Sequence, residues 1–366
     1  MTETFSSDQV LALLLAPLVS AGLIRLLMIP APGWGLIDNP GHRKVHQHPT
    51  PLVGGLGMLL TLILAQILLG RMPFESLSLL VALAIITGIG VADDAHELSH
   101  RAKFVAQALG AGVIVSGTSV WVTGLGDLFG FGSIELGKWA ILVTVIAVVG
   151  VMNAINMIDG LDGLAASVSL MPVLVFAALA YAAGQVASAF ELALLAAVIV
   201  GFLLLNLRVP GRARAKVFMG DTGGMIIGML VAWYAIKLGG SSSATVKPIT
   251  AVWILAVPLL DMGGVMLVRL MQRKSPFHAD QQHMHHVLLH AGYSVNQVVG
   301  IMSALSLILG AFGVFADHQR VPEAVMFLAF LVLWAAYVLA LKHPAVMQGI
   351  ARKIVSPYAQ RVGSAR

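Results

Sequence analysis

The chain has 366 residues, 58% hydrophobic and 11% charged, with a formal net charge of +5 and a mean hydropathy of +0.90. Soluble domains carry about 25% charge, so these values exclude a soluble globular protein and describe a polytopic membrane protein with little mass outside the bilayer. No cysteine is present, which excludes disulfides and thiolate chemistry, and basic residues at membrane edges point to orientation, anionic lipid or phosphate and not to nucleic acid.

Met1–Val10 carries Glu3 and Asp8 and no basic residue, the wrong start for a cleaved signal peptide. Eleven apolar runs of about 17–22 residues, the length a bilayer requires, then predict eleven transmembrane helices in an all-α chain. They lie near 8–29, 52–70, 74–92, 103–121, 138–156, 163–183, 186–206, 222–237, 249–270, 296–316 and 322–342, the eighth being short. Residues 1–366 read as one transmembrane domain without an internal repeat at fixed period. Sixteen of the 22 Lys and Arg fall in one set of loops (about 30–51, 93–102, 157–162, 207–221 and 271–295) and the tail 343–366, or, as Lys103, Arg269 and Lys342 do, directly beside them. The opposite side holds Arg71, Lys138, Lys237, Lys247 and Arg320. The positive-inside rule puts the N-terminus in the periplasm and the tail in the cytoplasm. The periplasmic loops offer no cluster of titratable groups; Thr123–Lys138 is Gly-rich enough for a small hairpin.

All the informative motifs fall on the predicted cytoplasmic side. The first loop holds Arg43, Lys44 and three His before the Gly-rich entry to span two; cations beside flexible glycines suit phosphate or lipid headgroups. The second starts at Asp93-Asp94, adjacent carboxylates that raise one another's pKa unless a cation intervenes. Mg²⁺ resolves such a pair, since it takes oxygen ligands and bridges to phosphates. The third, Asn153–Gly163, reads N-A-I-N-M-I-D-G-L-D-G. Asp159 and Asp162 stand three apart in a Gly-punctuated turn, behind Asn153 and Asn156 at the same interval, and helical spacing would set each pair on one face. The fourth brings Arg208, Arg212, Arg214 and Lys216 before Phe218 and G-D-T-G-G, where Asp221 opens a helix as an N-cap or as a metal ligand. The fifth contains S-P-F-H-A-D-Q-Q-H-M-H-H and an amphipathic segment with His283, His285 and His286 at its start. Without a Cys partner or H-E-x-x-H spacing this is no zinc motif; imidazoles near phosphates fit better. Asp261, deep in span nine, reads as a packing or lipid-phosphate neighbour.

Five aspartates, several histidines and a cation surplus on one membrane face suit phosphoryl chemistry, in which cations offset the repulsion between two phosphate anions. The apolar spans suggest a lipid as one substrate. A proton- or cation-coupled transporter is the rival class, but it would carry its carboxylates near the bilayer midplane, and here they sit at span ends.

Taken in order, H-P-T-P-L-V-G-G, V-A-D-D, N-A-I-N-M-I-D-G-L-D-G, K-V-F-M-G-D-T-G, V-P-L-L-D-M and S-P-F-H-A-D-Q-Q-H-M-H-H, from about Ile37 to Val321, resemble the polyprenyl-phosphate N-acetylhexosamine-1-phosphate transferases (glycosyltransferase 4 family). Within that superfamily they are most similar to the bacterial undecaprenyl-phosphate N-acetylglucosamine-1-phosphate transferases that start O-antigen and related surface polysaccharides. The resemblance implies an eleven-span fold in the bacterial inner membrane with a cytoplasmic active site. It also implies Mg²⁺ (with Mn²⁺ as a substitute) and transfer of GlcNAc 1-phosphate from UDP-GlcNAc to undecaprenyl phosphate with release of UMP. By the same likeness Asp93, Asp94, Asp159 and Asp162 are catalytic, one of the first pair being a base on the lipid phosphate. Asp221, with Asp94, holds the metal. Asn156, Lys216, His283, His285, His286, Arg43 and Lys44 contact the substrates, and a homodimer is implied. Two departures concern the donor: Gly224 replaces an expected Ser, and His278 an expected small residue, which leaves another UDP-N-acetylhexosamine, UDP-GalNAc or a deoxy derivative, as the alternative. Direct attack on the β-phosphorus is expected in preference to a covalent aspartyl intermediate.

Overall fold

The computed structural model of the protein describes residues 4–39, 48–72, 74, 76–118, 120–239, 245–276, 282–343 and 348–349. Arg43, Lys44, His278 and the basic tail beyond 349 lie outside the described residues. Within them the chain is helical nearly throughout. The helices are α1 (Ser7–Leu27), α2 (Gly54–Leu68), α3 (Leu77–His96), α4 (His100–Thr118), α5 (Ala140–Ile158), α6 (Leu164–Ala182), α7 (Val186–Asn206) and α8 (Gly220–Gly239). They continue with α9 (Pro248–Ile254), α10 (Ala256–Met271), α11 (Met284–His290), α12 (Val295–His318) and α13 (Glu323–Lys342). A two-residue antiparallel pair, β1 (Ile37–Asp38) with β2 (Thr50–Pro51), closes the first loop.

Local chemistry starts these helices. Ser6 accepts from the Gln9 amide while the Gln9 side chain returns to the Ser6 N–H at 2.8 Å, a capping box. Ser294 and Gln297 repeat it ahead of α12.

Eight helices are long and apolar enough to cross a membrane: α1, α3, α5 to α8, α12 and α13. The remaining three predicted spans depart from simple crossings. α2 is apolar but has 15 residues. α4 starts earlier than the expected run, at His100, and carries His100, Arg101, Lys103 and Gln107 in its first half, polar groups that keep it from reading as a simple apolar crossing. Span nine is broken at Leu255 into α9 and α10, bent by 83°. Pro258 supplies the physical reason, since it has no N–H for the carbonyl of Ile254 and its ring crowds that turn.

The bundle is organised around α8, the most buried of the apolar helices. In lipid the hydrophobic effect gives no drive for helices to associate, and small residues that allow close backbone approach supply it instead. A Cβ on Gly228 would lie 2.5 Å from Met152 Cα of α5, one on Gly90 of α3 would lie 2.6 Å from Thr222 Cα, and one on Gly55 of α2 would collide with Gly223. α2, α3 and α5 therefore grip α8, and α6, α7, α1 and α12 pack outside them. At one end of the bundle the predicted hairpin over Thr123–Lys138 is present, with Leu125 N–H donating to Ile134 O at 2.9 Å and Ile134 N–H to Gly126 O at 3.0 Å. The other end gathers the loops that hold the aspartates.

Candidate active site

The N-terminus of α8 is the anchor. Gly220, at φ +73°, lets the chain turn into the helix, and Asp94 of α3 caps it from across the bundle. Asp94 Oδ1 accepts from Asp221 N–H at 2.8 Å, and Oδ2 accepts from Thr222 N–H at 3.2 Å and the Thr222 hydroxyl at 2.6 Å. A carboxylate on three such donors satisfies the orphan amides and the helix dipole together. Neighbouring Asp93 is buried; Oδ1 accepts from Leu98 N–H at 2.7 Å and Oδ2 from Lys103 Nζ at 2.9 Å. The same ammonium reaches Asp221 Oδ2 at 2.8 Å. One cation thus bridges two carboxylates at one helix end.

α5 stops at Ile158, with Asp159 as its C-cap, so the aspartates of Asn153–Gly163 lie in a loop and not on one helical face. Gly160 and Gly163 (φ +82°) make that loop, and Asn206 Oδ1 holds it by accepting from Gly163 N–H at 2.6 Å. Asp162 turns toward the basic loop: its Oδ2 accepts from Arg208 Nε at 2.7 Å and from Ala215 N–H at 3.1 Å. Asp159 and Asp162 both line a cavity of about 700 Å³, and Asp159 is the more exposed of the two. Its side chain is open to water there. Crowding by surrounding protein, then the charges of Asp221, Asp94 and Asp162, still push its pKa up to about 7. A cation bound in the cavity would cancel the like-charge part of that shift.

The asparagines divide similarly. Asn153 donates to Gln107 Oε1 of α4 at 2.7 Å. Asn156 lies against α8 beside Asp221 and lines the cavity. A Cβ on Gly224 would come within 2.6 Å of Asn156 Oδ1. The expected Ser at 224 is thus not merely missing here; Asn156 fills the space it would need.

The cavity wall takes in Asp93, Asp94, Asp159, Asp162, Asp221, Asn156 and His286 of the predicted site. Lys216 is exposed and outside that wall, its backbone N–H pairing with Leu205 O at 3.0 Å. His283 and His285 also stand behind the wall. His283 Nδ1 lies 2.7 Å from Asp261 Oδ2, so Asp261 is a histidine partner and not a bare packing residue. His285 is buried, its ring stacked on His283 at 5.5 Å and tilted against His286 at 4.2 Å. Burial, then His286 and His283, lower its pKa to about 3, which keeps it neutral. Lys103, Arg208 and Thr222 entered the sequence reading only as charges or as motif letters, and each is a working contact here. Only Lys103 carried a signal to read, a cation ten residues from Asp93; Arg208 meets Asp162 across 46 residues and Thr222 meets Asp94 across 128.

Residues 76–239 match the family model described as Glycosyl transferase family 4. The chain is 33% identical to the undecaprenyl-phosphate alpha-N-acetylglucosaminyl 1-phosphate transferase of Haemophilus influenzae over 330 residues, 89% of this chain and 92% of that protein. It is 34% identical to the transferase of the same name from Escherichia coli K12 over 311 residues, 84% of each chain. The chain belongs to glycosyl transferase family 4. With its apolar helices this makes it a multi-pass membrane transferase.

Aspartate carboxylates outnumber the two imidazoles, His100 and His286, on the wall of the transferase's cavity, and a set dominated by carboxylate oxygens suits Mg²⁺ over softer metals. Among the described residues no three His, Asp or Glu groups already surround an ion position. Mg²⁺ does not require that, since it binds through one or two carboxylates and takes substrate phosphates and waters for the rest. Asp221 and Asp159, both open to the cavity, fit that requirement.

Proposed function

We propose that the protein transfers GlcNAc 1-phosphate from UDP-GlcNAc to undecaprenyl phosphate, giving undecaprenyl-diphospho-GlcNAc and UMP, the first membrane step of a surface polysaccharide. The observation that carries it is the meeting of Asp93, Asp94, Asp159 and Asp221, with the Lys103 ammonium, on one cavity at one end of an apolar bundle. The names of the relatives support the acceptor and the sugar. In this reading the chain crosses the bacterial inner membrane eleven times, with α2, α4 and the broken α9–α10 pair as the remaining crossings. The positive-inside count puts the cavity in the cytoplasm, where UDP-sugars are made, and the protein forms a homodimer.

Asp221 and Asp159 would hold Mg²⁺, which when bound neutralises the diphosphate and so favours charge transfer to the leaving UMP. The remaining work is positioning. Arg208, held at Nε by Asp162, has its two terminal amino groups left for an anion in the cavity. The lipid phosphate is already mostly dianionic near neutral pH, its second pKa being about 6, so it needs little help as a nucleophile. The side-chain oxygens of Asp93 and Asp94 each already accept a hydrogen bond. That favours attack by the lipid phosphate on the β-phosphorus over a covalent aspartyl-phosphate.

Purified protein with UDP-GlcNAc, undecaprenyl phosphate and Mg²⁺ should release UMP and stop doing so on chelation. No UMP under those conditions overturns the reading. Faster turnover of UDP-GalNAc would reassign the donor and leave the chemistry in place.

A further inference from the structure

The broken ninth span carries a carboxylate for which the reaction has no direct use. Asp261 is 3% exposed and lies on α10, just past the bend. A buried carboxylate in a membrane bundle is costly unless it is paired. Here three elements pair it. Oδ2 stands 2.7 Å from His283 Nδ1, and Oδ1 accepts from Met284 N–H at 3.0 Å and from the Tyr337 hydroxyl of α13. Arg269, also buried, sits on the far side of His283 with NH2 3.5 Å from its Nε2. Arginine can only donate. His283 therefore presents a lone pair at Nε2 and its proton at Nδ1, aimed at Asp261. Carboxylate–imidazole couples of this kind fix ring orientation where histidines hold a ligand.

The couple points somewhere. His283 precedes α11, its ring stacks on His285, and His285 leans on His286. At the far end His285 Nε2 packs against Gly160, so closely that a Cβ there would collide with the ring. The stack is thus clamped between Asp261 and the loop that carries Asp159, and only its last member, His286, reaches the cavity. We propose that Asp261 is a positioning residue, acting through His283 to set His286 for the donor diphosphate, so that the three histidines hold different jobs. This rests on the transferase reading above.

The test is a KM and kcat comparison for both substrates in Asp261→Asn, His283→Leu and the double variant. Asp261→Asn keeps acceptors for Tyr337 and Met284 and removes the charge facing His283. Each single change should raise KM for UDP-GlcNAc about tenfold, the scale of one lost charge-assisted hydrogen bond. KM for undecaprenyl phosphate should not move, and the double variant should be no worse than either single one. Additive effects, or equal rises in both KM values, would mean general loosening of the fold and would overturn the proposal. Should Asp261→Asn fail to accumulate in membranes, Tyr337→Phe probes the same carboxylate. A two- to threefold rise confined to KM for UDP-GlcNAc supports the assignment, and unchanged kinetics overturn it. Wild-type protein that turns over while the variants match it defeats this inference alone; inactive wild-type protein defeats the parent reading.

Discussion

The two ends of the bundle treat their carboxylates differently. At the hairpin end Lys247 lies 2.8 Å from Asp317 and 3.8 Å from Glu323. Thr250 donates to Asp317 at 3.2 Å and Asp127 N–H to Glu323 at 3.0 Å. Even Glu191, buried in α7, takes the Tyr234 hydroxyl at 2.6 Å with Lys237 at 3.9 Å. At the cavity end Lys103 answers Asp93 and Asp221, Asp94 is spent on a helix terminus, and among the described residues no side-chain hydrogen bond or ion pair reaches Asp159. One end satisfies its own charges. The other keeps a deficit that a metal ion and a nucleotide diphosphate would fill, which is the electrostatic form of a site prepared for its substrate.

Removing charge at the deficient end should break activity most. Asp221→Asn is expected to slow UMP release about 10²-fold, the scale on which lost transition-state electrostatics shows. The matched change at the satisfied end, Glu323→Gln, should stay within about threefold. Equal losses from the two would erase the distinction between the ends. Arg208→Ala and Asp162→Ala sharpen it at smaller scale. If Asp162 serves to hold Arg208, each should raise KM for UDP-GlcNAc by about tenfold, and together they should not multiply. Multiplying effects would return Asp162 to direct contact with substrate or metal.

The positions of eight spans were legible because apolar length and the polar loops between them carry that information. The break at Leu255 was less so: Pro258 was visible, but whether a proline kinks a helix or divides it depends on what packs beside the bend, here α12 and α13. The acidic motifs identified the cavity, while the roles within it were hidden. Asp94 and Asp93 are adjacent in sequence, and yet one caps α8 and the other pairs with Lys103. Asp159 and Asp162 line one cavity, yet only Asp162 meets Arg208, because a glycine loop, not a helix, joins them. Asp261 could not be matched with His283, 22 residues away, since nothing in a sequence pairs a carboxylate in one run with an imidazole beyond the next loop. Long-range partnership is what folding adds.

His285 offers a measure of the cavity end that needs no substrate. A free imidazole titrates near 6.5, whereas this one is held neutral down to about 3. Between those values the unfolded chain binds a proton that the folded chain refuses, so stability is fully present above 6.5 and falls with pH, by at most about 1.4 kcal/mol per unit. The thermal midpoint of detergent-solubilised protein should therefore drop between pH 7.5 and 5.5, and His285→Gln should flatten that slope. An unchanged slope would mean that His285 takes up its proton in the folded state, by opening the stack against Gly160.

The smallest expected effect tests the satisfied end directly. Lys247 is 41% exposed, and so is its share of the network with Asp317 and Glu323. Screening by water limits such a pair to about 1 kcal/mol or less. Lys247→Met should accordingly lower the thermal midpoint by only a few degrees and leave the UMP release rate within about twofold. Lys138→Ala, which removes only an ammonium lying over Trp139 at 5.7 Å, should do less still. A large catalytic loss from Lys247→Met would carry a different message from a large loss of stability. The latter would show that the clamp between the hairpin, α9 and α12 is worth more than its exposed charges suggest. The former would show that α9 transmits strain through the 83° bend to α10, where Asp261 holds His283, and that the two ends are not independent.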